Sequence, residues 1–318
     1  MSNVAFLWVF SRGMELGVIV LCLLPLRFLL RKKVPRLFSY LLWGALPMNL
    51  VYNLILRIVA LVNHRVMDHV YKNPKIVVDE KTVQVMKLFW EFGTVVVIAV
   101  MVYSYLYLLR ILVGSIRLEK GVYATDRIVS PFTLGLLRPK IYLPSSLQKE
   151  CYESVILHER VHIARRDVWM KYLAVVLLGL FWFQPVLWFA YRLFVNDMEE
   201  ACDETVLKKK GADFREEYAR SLLEVSCRDG KMCGAALGYR GGEIKARIVN
   251  VMNYKQAGKK TCVIALILCC TFMIVAIPLS WQVPRVVHGV AEKNATDMEM
   301  NISGRDMTKT KLITDDNK

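Results

Sequence analysis

Four stretches of this chain carry no charged side chain for 18–24 residues each, at 37–56, 92–109, 172–191 and 261–284. A fifth, 4–30, is interrupted by Arg12, Glu15 and Arg27. A helix of about 20 apolar residues crosses the roughly 30 Å hydrocarbon core of a bilayer, so every one of these runs is long enough. A purely soluble enzyme, a disordered chain and a small secreted disulfide scaffold are excluded. The 55% apolar content is an average over these runs and more polar intervening segments.

The first run is followed by a basic cluster and not by a small-residue cleavage site, which predicts a retained helix. Arg27, Arg31, Lys32, Lys33 and Arg36 stand together without an acidic residue, and short loops this basic stay cytoplasmic. If spans alternate, 63–84 and 282–318 face outward, whereas 115–260 faces the cytoplasm with 24 basic and 17 acidic residues. The net charge of +15 then sits mostly where anionic lipid attracts it. No basic stripe interleaved with aromatics accompanies it, so direct nucleic-acid binding is not expected. None of the eight cysteines falls in an outward loop, as expected of reduced thiols.

The expected fold is a mainly α membrane protein. Residues 1–114 supply three transmembrane helices, at about 4–30, 37–57 and 88–113, and a fourth follows at 261–281. Residues 115–260 form a cytoplasmic domain with a small β element, its strands at 127–129 and 140–143, and a helix over 147–167 capped by Ser145 or Ser146. The polar tail 282–318 is expected to be disordered and external. Arg12, Glu15 and Glu91 are expensive in lipid and are candidates for an intramembrane role.

On the helix over 147–167 stands His158-Glu159-Arg160-Val161-His162. Histidines four apart share a helix face and can reach one Zn²⁺, while Glu159 can act as general base on water polarised by the ion. A catalytic zinc takes three protein ligands and keeps one position open. In Glu199-Glu200-Ala201-Cys202-Asp203, Glu199 and Asp203 again share a face. Glu199 would complete the ligand set, and Asp203 would orient a liganding histidine.

This assignment constrains the run 172–191. A simple crossing would leave the histidines and Glu199 on opposite sides of the bilayer, so 168–195 must be a hairpin, re-entrant or within the domain core. Its apex is expected between Gly179 and Pro185, with Trp169, Trp182 and Trp188 as interfacial anchors.

The assembled pattern resembles the membrane-embedded zinc peptidases of the BlaR/MecR type, the family-56 metallopeptidases of the gluzincin group. The resemblance rests on four spans in matching order, on the proline-punctuated stretch from Ser130 to Pro144, on the histidine motif, and on the acidic stretch from Asp197 to Glu204. It implies a cytoplasm-facing endopeptidase of the bacterial cell membrane, with His158, His162 and Glu199 on zinc and Glu159 as base. It also implies limited self-proteolysis and relief of repression by cutting a winged-helix repressor of the BlaI/MecI type. Self-cleavage is expected within 208–258, and an extended substrate is expected along an exposed strand edge at 140–143. Only 37 residues follow Trp281 and they contain no Ser-x-x-Lys, so direct β-lactam sensing is not expected of this polypeptide. The sequence is compatible with a homodimer. Two alternatives stand beside this reading, a membrane quality-control protease of the HtpX type and a non-catalytic signalling scaffold.

Overall fold

The computed structural model describes residues 2–31, 33–62, 75–211, 213–228, 238–279 and 285–288. Among the described residues, four helical stretches are long and apolar enough to cross a membrane: Ala5–Leu30, Arg36–Leu56, Glu80–Ile111 and Lys259–Ala276. The first belongs to helix α1 (Asn3–Leu30), whose start is capped by the Ser2 hydroxyl accepting from the Ala5 amide. The second is broken into α2 (Arg36–Leu42) and α3 (Ala45–Val62). Pro47 supplies the reason, since it has no N–H for the Trp43 carbonyl and its ring crowds that oxygen.

The third, α4 (Glu80–Ile111), begins earlier than its apolar run because the Asp79 carboxylate accepts from the Thr82 amide at 3.0 Å and starts a polar first turn. Its 32 residues reach about 48 Å at 1.5 Å each, more than a bilayer core requires. Inside the bundle, the charges of the first span do not stand alone: Arg12 pairs with Glu15 three residues on and with Asn53 of α3.

After α4 comes a four-stranded sheet of β2 (Ile116–Glu119), β3 (Val122–Thr125), β4 (Phe132–Leu134) and β5 (Lys140–Pro144), in the order β2-β3-β5-β4. Two expectations are corrected here. Residues 127–129 are not a strand, because the Arg127 amide turns back onto the Thr125 hydroxyl at 3.3 Å. The segment 140–143 is not an edge, since β5 is parallel to β3 on one side and antiparallel to β4 on the other. The edge nearer the histidine motif is β4.

Val122, Ile141, Leu143 and Leu147 pack the sheet against Val155 of helix α5 (Tyr152–Ala164). This helix is shorter than expected and has no serine cap, because a 3-10 turn at Lys149–Cys151 precedes it. Arg166 then adopts a left-handed conformation, with φ of 58°, and the chain re-enters helix at once as α6 (Asp167–Leu180).

Helices α6 and α7 (Pro185–Lys210) form the hairpin, with Pro185 in the first turn of α7 where its missing N–H costs nothing. Glu199 lies 14 residues beyond Pro185, about 21 Å at 1.5 Å per residue, which matches the 14-residue rise of α6. Equal arms return Glu199 to the level of α5.

The hairpin tip reaches the middle of the apolar helices. A Cβ on Gly93 of α4 would lie 1.9 Å from the Trp182 ring, and one on Gly13 of α1 would lie 2.6 Å from Phe183. The Gln184 amide donates to the Gly13 carbonyl at 3.2 Å, and the Trp182 indole donates to the Thr94 hydroxyl at 3.2 Å. Trp182 is therefore a packing residue against α4. Gly93→Ala is expected to displace the indole and cost about 1–3 kcal/mol, read as a lower unfolding temperature in detergent; an unchanged transition would reject this close packing.

Helices α8 (Arg215–Arg228) and α9 (Gly238–Met252) close the domain, with Tyr218 and Val251 packing on Val161 and Val206. Helix α10 (Lys259–Leu279) completes the apolar set. The expectation of a disordered tail is corrected at its start, where β6 (Arg285–His288) pairs in parallel with β1 (Lys75–Val78). The rest of the tail, and residues 229–237 of the expected self-cleavage segment, lie outside the described residues. All seven described cysteines are free thiols.

Candidate metal centre

One turn of α5 brings the His158 and His162 rings edge to face, with their Nε2 atoms 3.0 Å apart. Their Nδ1 atoms point away and are both engaged. His162 Nδ1 lies 2.7 Å from Asp167 Oδ2, and a carboxylate only accepts, so the histidine donates. His158 Nδ1 lies 2.6 Å from the Tyr218 hydroxyl, which itself donates to Asp203 at 2.7 Å and so accepts from the histidine. Each ring therefore directs its Nε2 inward, where it offers a lone pair to a cation or, when protonated, an N–H to the Glu199 carboxylate. Two lone pairs 3.0 Å apart repel unless a cation or a proton stands between them.

The third side of this point is Glu199. Its carboxylate oxygens lie 3.3 Å from His158 Nε2 and 3.6 Å from His162 Nε2. Burial would raise the Glu199 pKa, but His162, His158 and Arg247 hold it well below the usual carboxylate range. Burial likewise opposes charge on the histidines. Cys202 and Glu199 overcome this at His158, which is pushed up to about 10, and Glu199, Cys202 and Asp167 overcome it at His162. The pocket therefore favours positive charge at its centre, and the donor set of two imidazoles and a carboxylate suits Zn²⁺.

Cys202 is a rival third donor, because its sulfur and the two histidine nitrogens lie within 4.8 Å of one another. It is fully buried, and its thiol faces the His158 carbonyl at 3.5 Å. Glu199 instead lines an open cavity of about 1180 Å³, together with His158, His162 and Glu159.

Asp203 reaches His158 through the Tyr218 hydroxyl, its own oxygen standing 3.5 Å from Nδ1. Arg247 of α9 clamps it with two hydrogen bonds of 2.8 Å and extends its third nitrogen to 3.3 Å from Glu199. Glu159 faces the same cavity and accepts from the Thr133 hydroxyl of β4 at 2.7 Å.

Sequence reasoning missed Tyr218, Arg247, Asp167 and Thr133. Only Asp167 carried a local signal, an acid five residues beyond His162 where the helix ends. Tyr218 and Arg247 arrive on separate helices whose approach no spacing announces.

The family model described as BlaR1 peptidase M56 matches residues 8–251. The regulatory protein BlaR1 of Bacillus licheniformis is 32% identical over 139 residues, which cover 41% of this chain and 23% of that protein. The methicillin resistance mecR1 protein of Staphylococcus aureus is 28% identical over 166 residues, or 49% of this chain and 28% of that protein. The matched stretch thus spans about a quarter of the length of these relatives.

Proposed function

Because this chain belongs to the BlaR1 peptidase M56 family, we propose that it is a membrane-embedded zinc endopeptidase of the gluzincin type, acting in transmembrane signalling by limited proteolysis. The observation that carries the proposal is the pair of inward Nε2 atoms facing Glu199, with Glu159 beside them in an open cavity. His158, His162 and Glu199 would hold the ion. Bound zinc supplies Lewis-acid polarisation of water and of a peptide carbonyl.

The chain's own groups do the rest. Glu159 takes the proton of the attacking water and passes it to the leaving amine, oriented by the Thr133 hydroxyl. An extended substrate pairs along the free edge of β4, next to Glu159, and not along β5. Asp203, through Tyr218, holds the His158 ring, and Arg247 holds Glu199 and Asp203 of α7.

The cytoplasmic side is supported by the basic residues in the last turn of the first span and just after it. Arg27 bonds Asp197, and Arg31 and Arg36 pair with Glu200, so the basic loop and the metal helix share one end of the bundle. A cytoplasmic regulator, in the manner of a BlaI/MecI-like winged-helix repressor, is the proposed substrate, and the chain itself a second one within 208–258.

The third ligand is tested by metal analysis of the purified protein. Cys202→Ser is expected to retain zinc and Glu199→Ala to lose it; the reverse result would move the ligand to the thiol. The activity is tested by comparing new protein N-termini in cells carrying wild type or Glu199→Ala. A few cytoplasmic cuts confined to wild type are expected. Widespread loss of membrane proteins would favour quality control, and identical termini would reject an endopeptidase.

A further inference from the structure

Asp167 is fully buried and uses its two carboxylate oxygens in two directions. Oδ2 accepts from His162 Nδ1 at 2.7 Å, and Oδ1 accepts from the Tyr40 hydroxyl at 3.0 Å. Tyr40 belongs to neither the hairpin nor α5; it stands on α2, at the start of the second apolar span, 127 residues away in sequence. We infer that Tyr40 is a positioning residue of the metal site, setting the orientation of His162 through Asp167 and so tying metal affinity to the seat of a membrane-spanning segment.

Three features make the tie specific. The Arg166 turn, left-handed at a non-glycine residue, is what swings Asp167 back under His162, so the carboxylate is held by its backbone at one end and by Tyr40 at the other. Arg165 lies over the Tyr40 ring at 4.9 Å and 3.5 Å from Asp167, which closes off other rotamers. Tyr40 also stacks on Phe194 of α7 at 5.8 Å, so its ring is fixed by packing and its hydroxyl alone addresses the acid.

Partners that hold the far nitrogen of a metal-ligating histidine fix its tautomer and direction, and their loss commonly weakens metal binding by about 10–100-fold. A shift of α2 relative to α7 moves the Tyr40 hydroxyl first, then Asp167, then the ligand. By linkage, a bound ion pulls α2 toward its seat with the same coupling.

The inference rests on the proposed metal site, and the test separates the two. Zinc affinity is measured by chelator competition on the full-length protein in detergent, alongside the visible spectrum of the Co²⁺-substituted form. His162→Ala is expected to abolish binding; if it does not, or if wild type takes no zinc, the metal-site reading and this inference both fall. Tyr40→Phe, which keeps the stacking, is expected to weaken zinc about tenfold and shift the Co²⁺ bands.

Trp43→Phe cuts a different bond from the same span, to Asp197, and is expected to leave both readouts near wild type. In an Asp167→Asn background, Tyr40→Phe is expected to add nothing. Wild-type affinity in Tyr40→Phe, equal weakening by Trp43→Phe, or additivity with Asp167→Asn would overturn the inference while leaving the metal site intact.

Discussion

Glu159→Gln is expected to keep zinc at the wild-type level while lowering kcat for peptide hydrolysis by roughly 10²–10⁴-fold, the usual contribution of a positioned general base. The amide has nearly the same shape and can still accept from the Thr133 hydroxyl, so packing and the bond at 2.7 Å survive. What it cannot do is take a proton from water. The substitution therefore separates the base from the ligands, because Glu199→Ala removes metal and activity together. The check is metal content and fragmentation of the purified protein, with cuts expected between residues 208 and 258 in wild type only. Equal fragmentation in both proteins would show that Glu159 is not the base for self-cleavage.

Asp197→Ala is expected to destabilise the fold by about 3–5 kcal/mol, the penalty for stranding a buried charge. Asp197 is 1% exposed and accepts from Arg27 at 2.6 and 2.7 Å and from the Trp43 indole at 2.8 Å. Removing the carboxylate leaves the Arg27 guanidinium, itself 8% exposed, without a counter-charge at the junction of α1, α2 and α7. Replacing both partners, as in Arg27→Met with Asp197→Leu, removes the stranded charge as well and is expected to cost much less. Chemical unfolding in detergent gives the comparison, and a single variant as stable as wild type would mean that the pair carries no such weight.

The apolar helices and the facing histidine pair were readable from sequence because both are local patterns. A run without charge reports on lipid, and two histidines four apart report on one helix face. The hairpin followed from a geometric demand, that Glu199 return to the histidines, and its turn lies at Phe181–Gln184. Other features depended on partners distant in sequence. β5 is interior because β3 comes to lie on its far side, and Trp182 is a packing residue because Gly93 clears room for its ring. The Tyr218 link between Asp203 and His158 is made by a helix that contains no motif at all. Spacing within a helix gave Asp203 the right neighbourhood but could not show that another side chain stands between.

The seating of the hairpin tip between α1 and α4 also orders events during synthesis. Phe183 and Trp182 have no slots until Gly13 and Gly93 stand on neighbouring helices already in place. Both helices precede the hairpin in the chain, so the slots for its tip are made before the tip itself, whereas the helices that carry Tyr218 and Arg247, and α10, are made after it.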